Sequence, residues 1–275
     1  HVREALQAAE FLVVQDIFLT ETAALADVVL PAACFAEKDG TFTNTERRVQ
    51  RVRKAVPPPG RAREDLDILA ELLARLGLPQ ADRTGAGVFA ELARLAPQYA
   101  GMSWGRLEDG GLQWPCPAPD HPGTPILHVG RFTRGPGRFI PYRWRPPAEE
   151  PDAEYPLVLT TGRNLYQYHT RTMTGREEGL SILAGEAYAE LHPEAAVRAG
   201  VRHGEILRLS TRRGSIELTA RVSEGIRPDT VFVPFHYAEA AANILTGTAL
   251  DPHAKIPELK VCAVRAEAGN GRAPA

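Results

Sequence analysis

A dense group of hydrogen-bonding side chains, TGRNLYQYHT, occupies residues 161–170 of the 275-residue sequence. It directly follows the apolar run YPLVLT, so it begins where a strand would end. Gly162 permits close backbone approach, while Arg163, Asn164, His169 and Thr170 and the backbone amides supply donors for phosphate oxygens and polar ring edges. Gly-Arg after a strand also occurs in plain turns. Gln15 and Asp16 stand at the carboxyl end of the compact segment FLVVQ, the position where open parallel sheets bind ligands. A carboxylate there accepts two donors at once, and a turn Asp capping the next segment is the competing role. Asp65 begins a helical run, where the helix dipole alone would stabilise it. Lys38, in AEKDG, suits anionic oxygens or plain solvent equally well. Asn243 interrupts an apolar stretch, where an amide needs something to bond. Glu46, Arg47, Arg48, Arg51 and Arg53 could guide an anionic substrate or partner, but they read better as a solvated face with ion pairs.

The composition narrows the classes. With 44% hydrophobic and 24% charged residues, the chain has enough apolar material for packed cores, and its length suits about two domains. Thirty-two basic and 34 acidic residues give a net charge of -2, which leaves no basic field for nucleic acid and no polybasic segment for a membrane surface. No apolar run reaches the length of a membrane helix. Cys34, Cys116 and Cys262 are odd in number, far apart and without a C-x-x-C, so no disulfide framework or metal knuckle is expected of them. This points to a reducing, cytoplasmic setting. The first residue is His1, so targeting information is expected to lie outside the sequence.

The elements that would position these residues fall into two groups. Residues 2–9 suit a helix, 11–15 a strand, 20–26 a helix capped by Thr20, and 27–30 a strand closed by Pro31, the rhythm of a parallel sheet covered by helices. Residues 64–76 form a helix with Leu66, Leu69, Leu73 and Leu76 on one face and Gly77 as its stop, and a second helix spans about 88–95. Residues 116–151, rich in Pro, Gly and Arg, read as an ordered, extended crossing segment. Beyond it the chain is mostly β. Strands are expected at 155–160, 205–211, 215–222, 230–234 and 260–265, with a hairpin at Arg212–Gly214 and a helix at 192–200 between Pro193 and Gly200. Short strands with an interposed helix suggest a small closed barrel.

Four blocks together, VVQDIFLTETAALADVVLPAACFAEKDGTFTNTERRVQ, LQWPCPAPDHPGTPILH, TTGRNLYQYHTRTMTGR and FHYAEAAANILTGTALDPHAKIPELKVCAVR, resemble the C-terminal part of molybdopterin oxidoreductases, and most nearly the catalytic alpha subunit of formate dehydrogenases. The resemblance implies an α/β fold, with a partial doubly wound parallel-sheet domain over residues 1–115, a crossing segment at 116–151 and a double-psi β-barrel of the aspartate-decarboxylase type at 152–275. It implies molybdenum or tungsten held by two molybdopterin guanine dinucleotides. Gln15, Asp16, Lys38 and Asp65 would serve one nucleotide, with Asp16 and Asp65 reading guanine and Lys38 facing pyrophosphate. Thr161, Gly162, Arg163, Asn164, Leu165, Tyr166, Gln167, Tyr168, His169, Thr170, Phe235, Asn243 and Lys260 would surround the pterins. The family's 4Fe-4S cluster, metal-ligating residue and active-site His and Arg belong to an N-terminal half that this sequence lacks. The resemblance therefore implies no catalytic residue and no metal ligand in this chain. Its partners would be that half, iron-sulfur electron-transfer subunits and the substrate formate. A non-catalytic subunit of the respiratory complex I type and a nitrate- or arsenite-class enzyme are the alternatives. Gly214-Ser215 matches the bond cleaved in self-processing decarboxylases of this barrel type, and a hairpin turn explains it better.

Overall fold

The computed structural model describes residues 2–78 and 82–270. It divides into two compact units, one up to Phe139 and one from Ile140.

In the first unit, helix α1 (Val2–Gln7) precedes β1 (Val13–Asp16), which pairs in parallel with β2 (Val28–Pro31). The helix expected at 20–26 contracts to a single 3-10 turn, Ala23–Leu25. The residue at its N-cap is Thr22 rather than Thr20, although the Thr20 hydroxyl accepts from the Ala23 N–H at 3.2 Å. The turn stays short because Asp27 is tied back to Leu12, whose carbonyl accepts from the Asp27 N–H at 2.9 Å and whose N–H donates to the Asp27 carboxylate at 2.7 Å. Helix α2 (Asp65–Arg75) lies as expected, but its buried residues are Ile68 and Ala70, and Leu69 and Leu76 are exposed. Apolar residues occur on nearly every side of this helix, so periodicity could not select the packed face.

The charged run belongs to a strand the sequence reading missed. β3 (Gly40–Thr43), β4 (Arg48–Val52) and β5 (Leu112–Gln113) form an antiparallel sheet. Val49 points into a core with Phe89 of α3 (Gly85–Leu95), Met102, Leu107 and Cys116. The charges remain a surface face with ion pairs: Glu108 pairs with both Arg51 and Arg53, and Glu46 with Arg48.

The second unit is a closed six-stranded barrel in the order β10-β6-β11-β8-β9-β7. Its strands are β6 (Leu157–Gly162), β7 (Tyr188–Leu191), β8 (Ile206–Ser210), β9 (Ser215–Val222), β10 (Thr230–Pro234) and β11 (Cys262–Ala268). Five of these were expected, and the sixth, β7, was not. Its four residues YAEL favour no particular state alone, and only pairing with β9 in parallel and β10 in antiparallel makes them a strand. Alternate residues of β6 and β9 point inward, so Leu157, Leu159, Ile216 and Leu218 join Leu191, Leu207, Leu209, Val231 and Val233 in one core. Two helices flank the strands, α4 (Glu178–Ala184) and α5 (Pro193–Ala199), the latter ending on Gly200 in the left-handed conformation. The β8–β9 hairpin closes at Ser210 and Ser215, around the expected turn. Truncating Leu209 to Ala should cost about 2–5 kcal/mol, because its side chain on β8 is fully buried in the barrel core, and urea unfolding of the barrel measures the loss.

Candidate functional site

Each unit assembles its own set of expected residues. In the first, β1 ends at Gln15 and Asp16, and Asp65 is the first residue of α2. Gln15 Nε2 donates to Asp65 Oδ1 at 2.5 Å, and the Lys38 ammonium pairs with Asp65 Oδ2. Three residues separated by up to 50 positions thus meet at one carboxylate. Burial pushes the Asp65 carboxyl upward, but the hydrogen bonds from Lys38 and Gln15 and the lysine charge outweigh it and hold the group below the usual carboxylate range. An ionised carboxylate has about four lone-pair sites, so Asp65 can accept a ligand's donors without losing these partners. Asp16 does not join this group. Its carboxylate accepts from the Phe18 N–H at 3.1 Å, which is the turn-capping role weighed against binding.

In the barrel, topology brings the other residues to one edge. β6 and β10 run in parallel with Gly162 opposite Pro234, so both strands exit at the same end. β11 is antiparallel to β6 and therefore enters there. Segments 163–171 and 235–237 and Lys260 become neighbours for this reason alone. The Lys260 ammonium donates to the Thr161 carbonyl at 2.5 Å, and the buried Thr161 hydroxyl donates to the Leu259 carbonyl at 2.7 Å. The Arg163 guanidinium lies 5.4 Å over the Phe235 ring. Among the described residues, neither Arg163 nor Lys260 has a carboxylate partner, whereas Arg171, Arg212 and Arg213 each pair with one.

Within residues 163–171 the polar side chains divide into those turned inward and those left outside. Asn164 Nδ2 donates to the Tyr237 hydroxyl at 2.9 Å, and Asn164 Oδ1 accepts from the N–H groups of Tyr166 and Gln167 at 3.2 and 3.0 Å. Gln167 is buried, donating to the Ala184 carbonyl at 2.9 Å and accepting from the Thr174 hydroxyl at 2.6 Å. These two side chains shape the loop, and their hydrogen-bonding capacity is largely used internally. Leu165, Tyr166, Tyr168, His169 and Thr170 face outward. His169 and Arg171 hold left-handed backbone, with φ of 45° and 63°, a strained conformation for residues with a side chain. Gly162 is required for a reason other than ligand approach, since a Cβ there would meet the Phe232 ring at 2.4 Å. Asn243 corrects the sequence reading: it is exposed to solvent and so needs no buried partner. Phe235 is half-buried against the barrel core.

Two residues escaped the sequence reading altogether. His236 and Tyr237 are each 1% exposed, and both contact the loop through polar atoms. The only available signal was two polar rings directly after an apolar strand, in PFHY.

The barrel edge fits an anionic ligand. Arg163 and Lys260 are uncompensated, and Arg171 Nε is buried without a hydrogen-bond partner, although another nitrogen of the same guanidinium reaches Glu239 at 3.2 Å. In the first unit, replacing Lys38 with Met should move the Asp65 titration upward in an NMR titration. Because the folded value is depressed, the ionised group stabilises the unit at neutral pH and this contribution is lost as pH falls below about 3.9. The variant should accordingly show a smaller difference in stability between pH 7 and pH 3.

Comparison with known proteins matches these two units to two family models. One described as molybdopterin oxidoreductase matches residues 1–75, and one described as molydopterin dinucleotide binding domain matches residues 157–263. The F420-dependent formate dehydrogenase subunit alpha of Methanocaldococcus jannaschii is 50% identical over 271 residues, covering 97% of this chain and 40% of the relative. The F420-dependent formate dehydrogenase 2 subunit alpha of Methanococcus maripaludis shows the same 50% identity and coverage. The assimilatory nitrate reductase catalytic subunit of Bacillus subtilis is 40% identical, with 96% and 39% covered. The chain thus spans about two fifths of the length of these relatives. In fold it matches acetylene hydratase from Pelobacter acetylenicus with a TM-score of 0.71 and 21% identity, over 97% of this chain and 41% of that one. With matches to both models in chain order and relatives at 50% identity, the chain belongs to the molybdopterin oxidoreductase family and carries its dinucleotide-binding domain.

Proposed function

We propose that this chain is the cofactor-cradling part of a formate dehydrogenase, which oxidises formate to carbon dioxide and two electrons. The observation that carries the reading is the barrel edge itself, where Arg163 and Lys260 both lie at the end of β6 without carboxylate partners among the described residues, beside a strained, outward-facing loop. Cations left uncompensated at one rim suit the pyrophosphates of a dinucleotide, and a barrel emptied of that ligand would have no use for them. This weighs against a purely structural subunit. The preference for formate over nitrate rests on the identities of 47–50% to F420-dependent formate dehydrogenase alpha subunits against 39–40% to nitrate reductases.

The cofactor is the bis(molybdopterin guanine dinucleotide) of molybdenum or tungsten. When bound, it supplies the two-electron redox chemistry. The chain's own residues bind and orient it. Asp65, held by Lys38 and Gln15, would accept the paired N–H donors of a guanine edge, with Asp16 as a further acceptor from the end of β1. Lys38 would reach pyrophosphate oxygen. Arg163 and Lys260 would offset phosphate charge at the barrel. Thr161 and Gly162 carry the backbone into this rim, and His169, Thr170, the outward Tyr166 and Tyr168 and the half-buried Phe235 would line the pterin side, with the Leu165 side chain and the Asn243 amide at its margin. The barrel's mixture of parallel and antiparallel pairs supports a double-psi topology. The preceding half of the catalytic polypeptide and iron-sulfur subunits would complete the enzyme.

The decisive experiment is metal and released guanine nucleotide analysis of the assembly purified from its host, followed by formate turnover with an artificial acceptor. Two guanine nucleotides per molybdenum or tungsten and formate-dependent reduction are expected. A folded assembly without metal or nucleotide overturns the proposal, and nitrate turnover without formate turnover replaces its substrate. Arg163→Gln should reduce nucleotide retention about 10- to 100-fold, the scale of one charge-assisted contact of about 1.5–3 kcal/mol.

A further inference from the structure

We infer that His236 and Tyr237 are positioning residues that clamp segment 163–171 into the conformation in which it receives the cofactor, an inference that rests on the reading of this barrel edge given above. The geometry is specific. His236 Nε2 accepts from the Asn164 N–H at 2.9 Å, so Nδ1 carries the ring proton and donates to the His169 carbonyl at 2.5 Å. A neutral imidazole provides one acceptor and one donor at separate ring positions, which is what a bridge between an N–H and a carbonyl five residues apart requires. The adjacent Tyr237 hydroxyl accepts from Asn164 Nδ2 and donates to the Ala184 carbonyl, each at 2.9 Å. The Arg171 guanidinium lies 5.1 Å over the Tyr237 ring.

Two consecutive residues therefore grip the loop at its start, at His169 and at Arg171. The latter two are the loop's left-handed positions. Such backbone persists only where its surroundings over-determine it, and His236 and Tyr237 supply that determination from beneath. Both are almost fully buried, which leaves the outward face of the loop to the ligand. Their action on the cofactor is indirect, through the shape of the loop.

The test uses the complete assembly carrying Tyr237→Phe, His236→Gln or His236→Leu, with amide hydrogen exchange of residues 163–171, exchange of the barrel strands and retained guanine nucleotide as readouts. Tyr237→Phe keeps the ring and removes only the hydroxyl, so the barrel should fold. Loop exchange should accelerate about tenfold, the effect of one lost hydrogen bond, and nucleotide retention should fall by a similar factor while strand exchange stays constant. His236→Gln, which retains an acceptor and a donor, should restore part of the protection lost in His236→Leu. Unchanged loop exchange in Tyr237→Phe, or a loosened loop that retains nucleotide at the original level, would overturn the clamp. Absence of nucleotide from the unaltered assembly would instead overturn the proposed function, and the loop exchange would still decide the clamp.

Discussion

The parallel register of β6 on β10 is the constraint on which the barrel site depends. Parallel strands leave a sheet at the same end, so pairing Gly162 with Pro234 delivers two segments, separated by about 70 residues, to one rim. The antiparallel β11 then brings Lys260 to that rim from the opposite direction. Close packing maintains the register. The Phe232 ring fills the space beside Gly162, and the inward alternation of β6 and β10 locks both strands into the Leu and Val core, where a one-residue slip would turn every apolar side chain outward.

From that register follows a division of labour within the loop. Asn164, Gln167, His236 and Tyr237 are hydrogen-bonded below the surface, while Arg163, Tyr166, Tyr168, His169 and Thr170 remain available above it. A binding loop needs both layers. Donors that reach a ligand are effective only when their positions are fixed beforehand, and buried polar groups are affordable only when each has a partner. In the first unit the same logic operates at Asp65, where burial disfavours the carboxylate charge and the bonds from Lys38 and Gln15 outweigh it.

Much of this was legible in the sequence because it depends on local chemistry. The strand-Gly-Arg pattern marked the start of the loop, Pro193 and Gly200 bounded α5, and five barrel strands announced themselves by alternation. Residue type likewise identified Arg163, Lys260 and Asp65 as groups that need a partner or a ligand. Other features were not legible. Of the Leu66, Leu69, Leu73 and Leu76 stripe only Leu66 and Leu73 are half-buried, while Ile68 and Ala70 are the buried residues of α2, and YAEL carried no strand signal. For Asn164 and Gln167 the sequence showed donors without showing which way they turn.

The sequence by itself determined the inventory: which groups can carry charge and where several strands and helices lie, because these rest on backbone sterics, periodicity and side-chain chemistry within a few residues. Tertiary structure alone decided who meets whom. The convergence of Gln15, Lys38 and Asp65, the sixth strand that closes the barrel, and the seating of His236 and Tyr237 beneath the loop all require contacts across tens of residues. Such contacts are set by strand register and core packing, which no local pattern specifies.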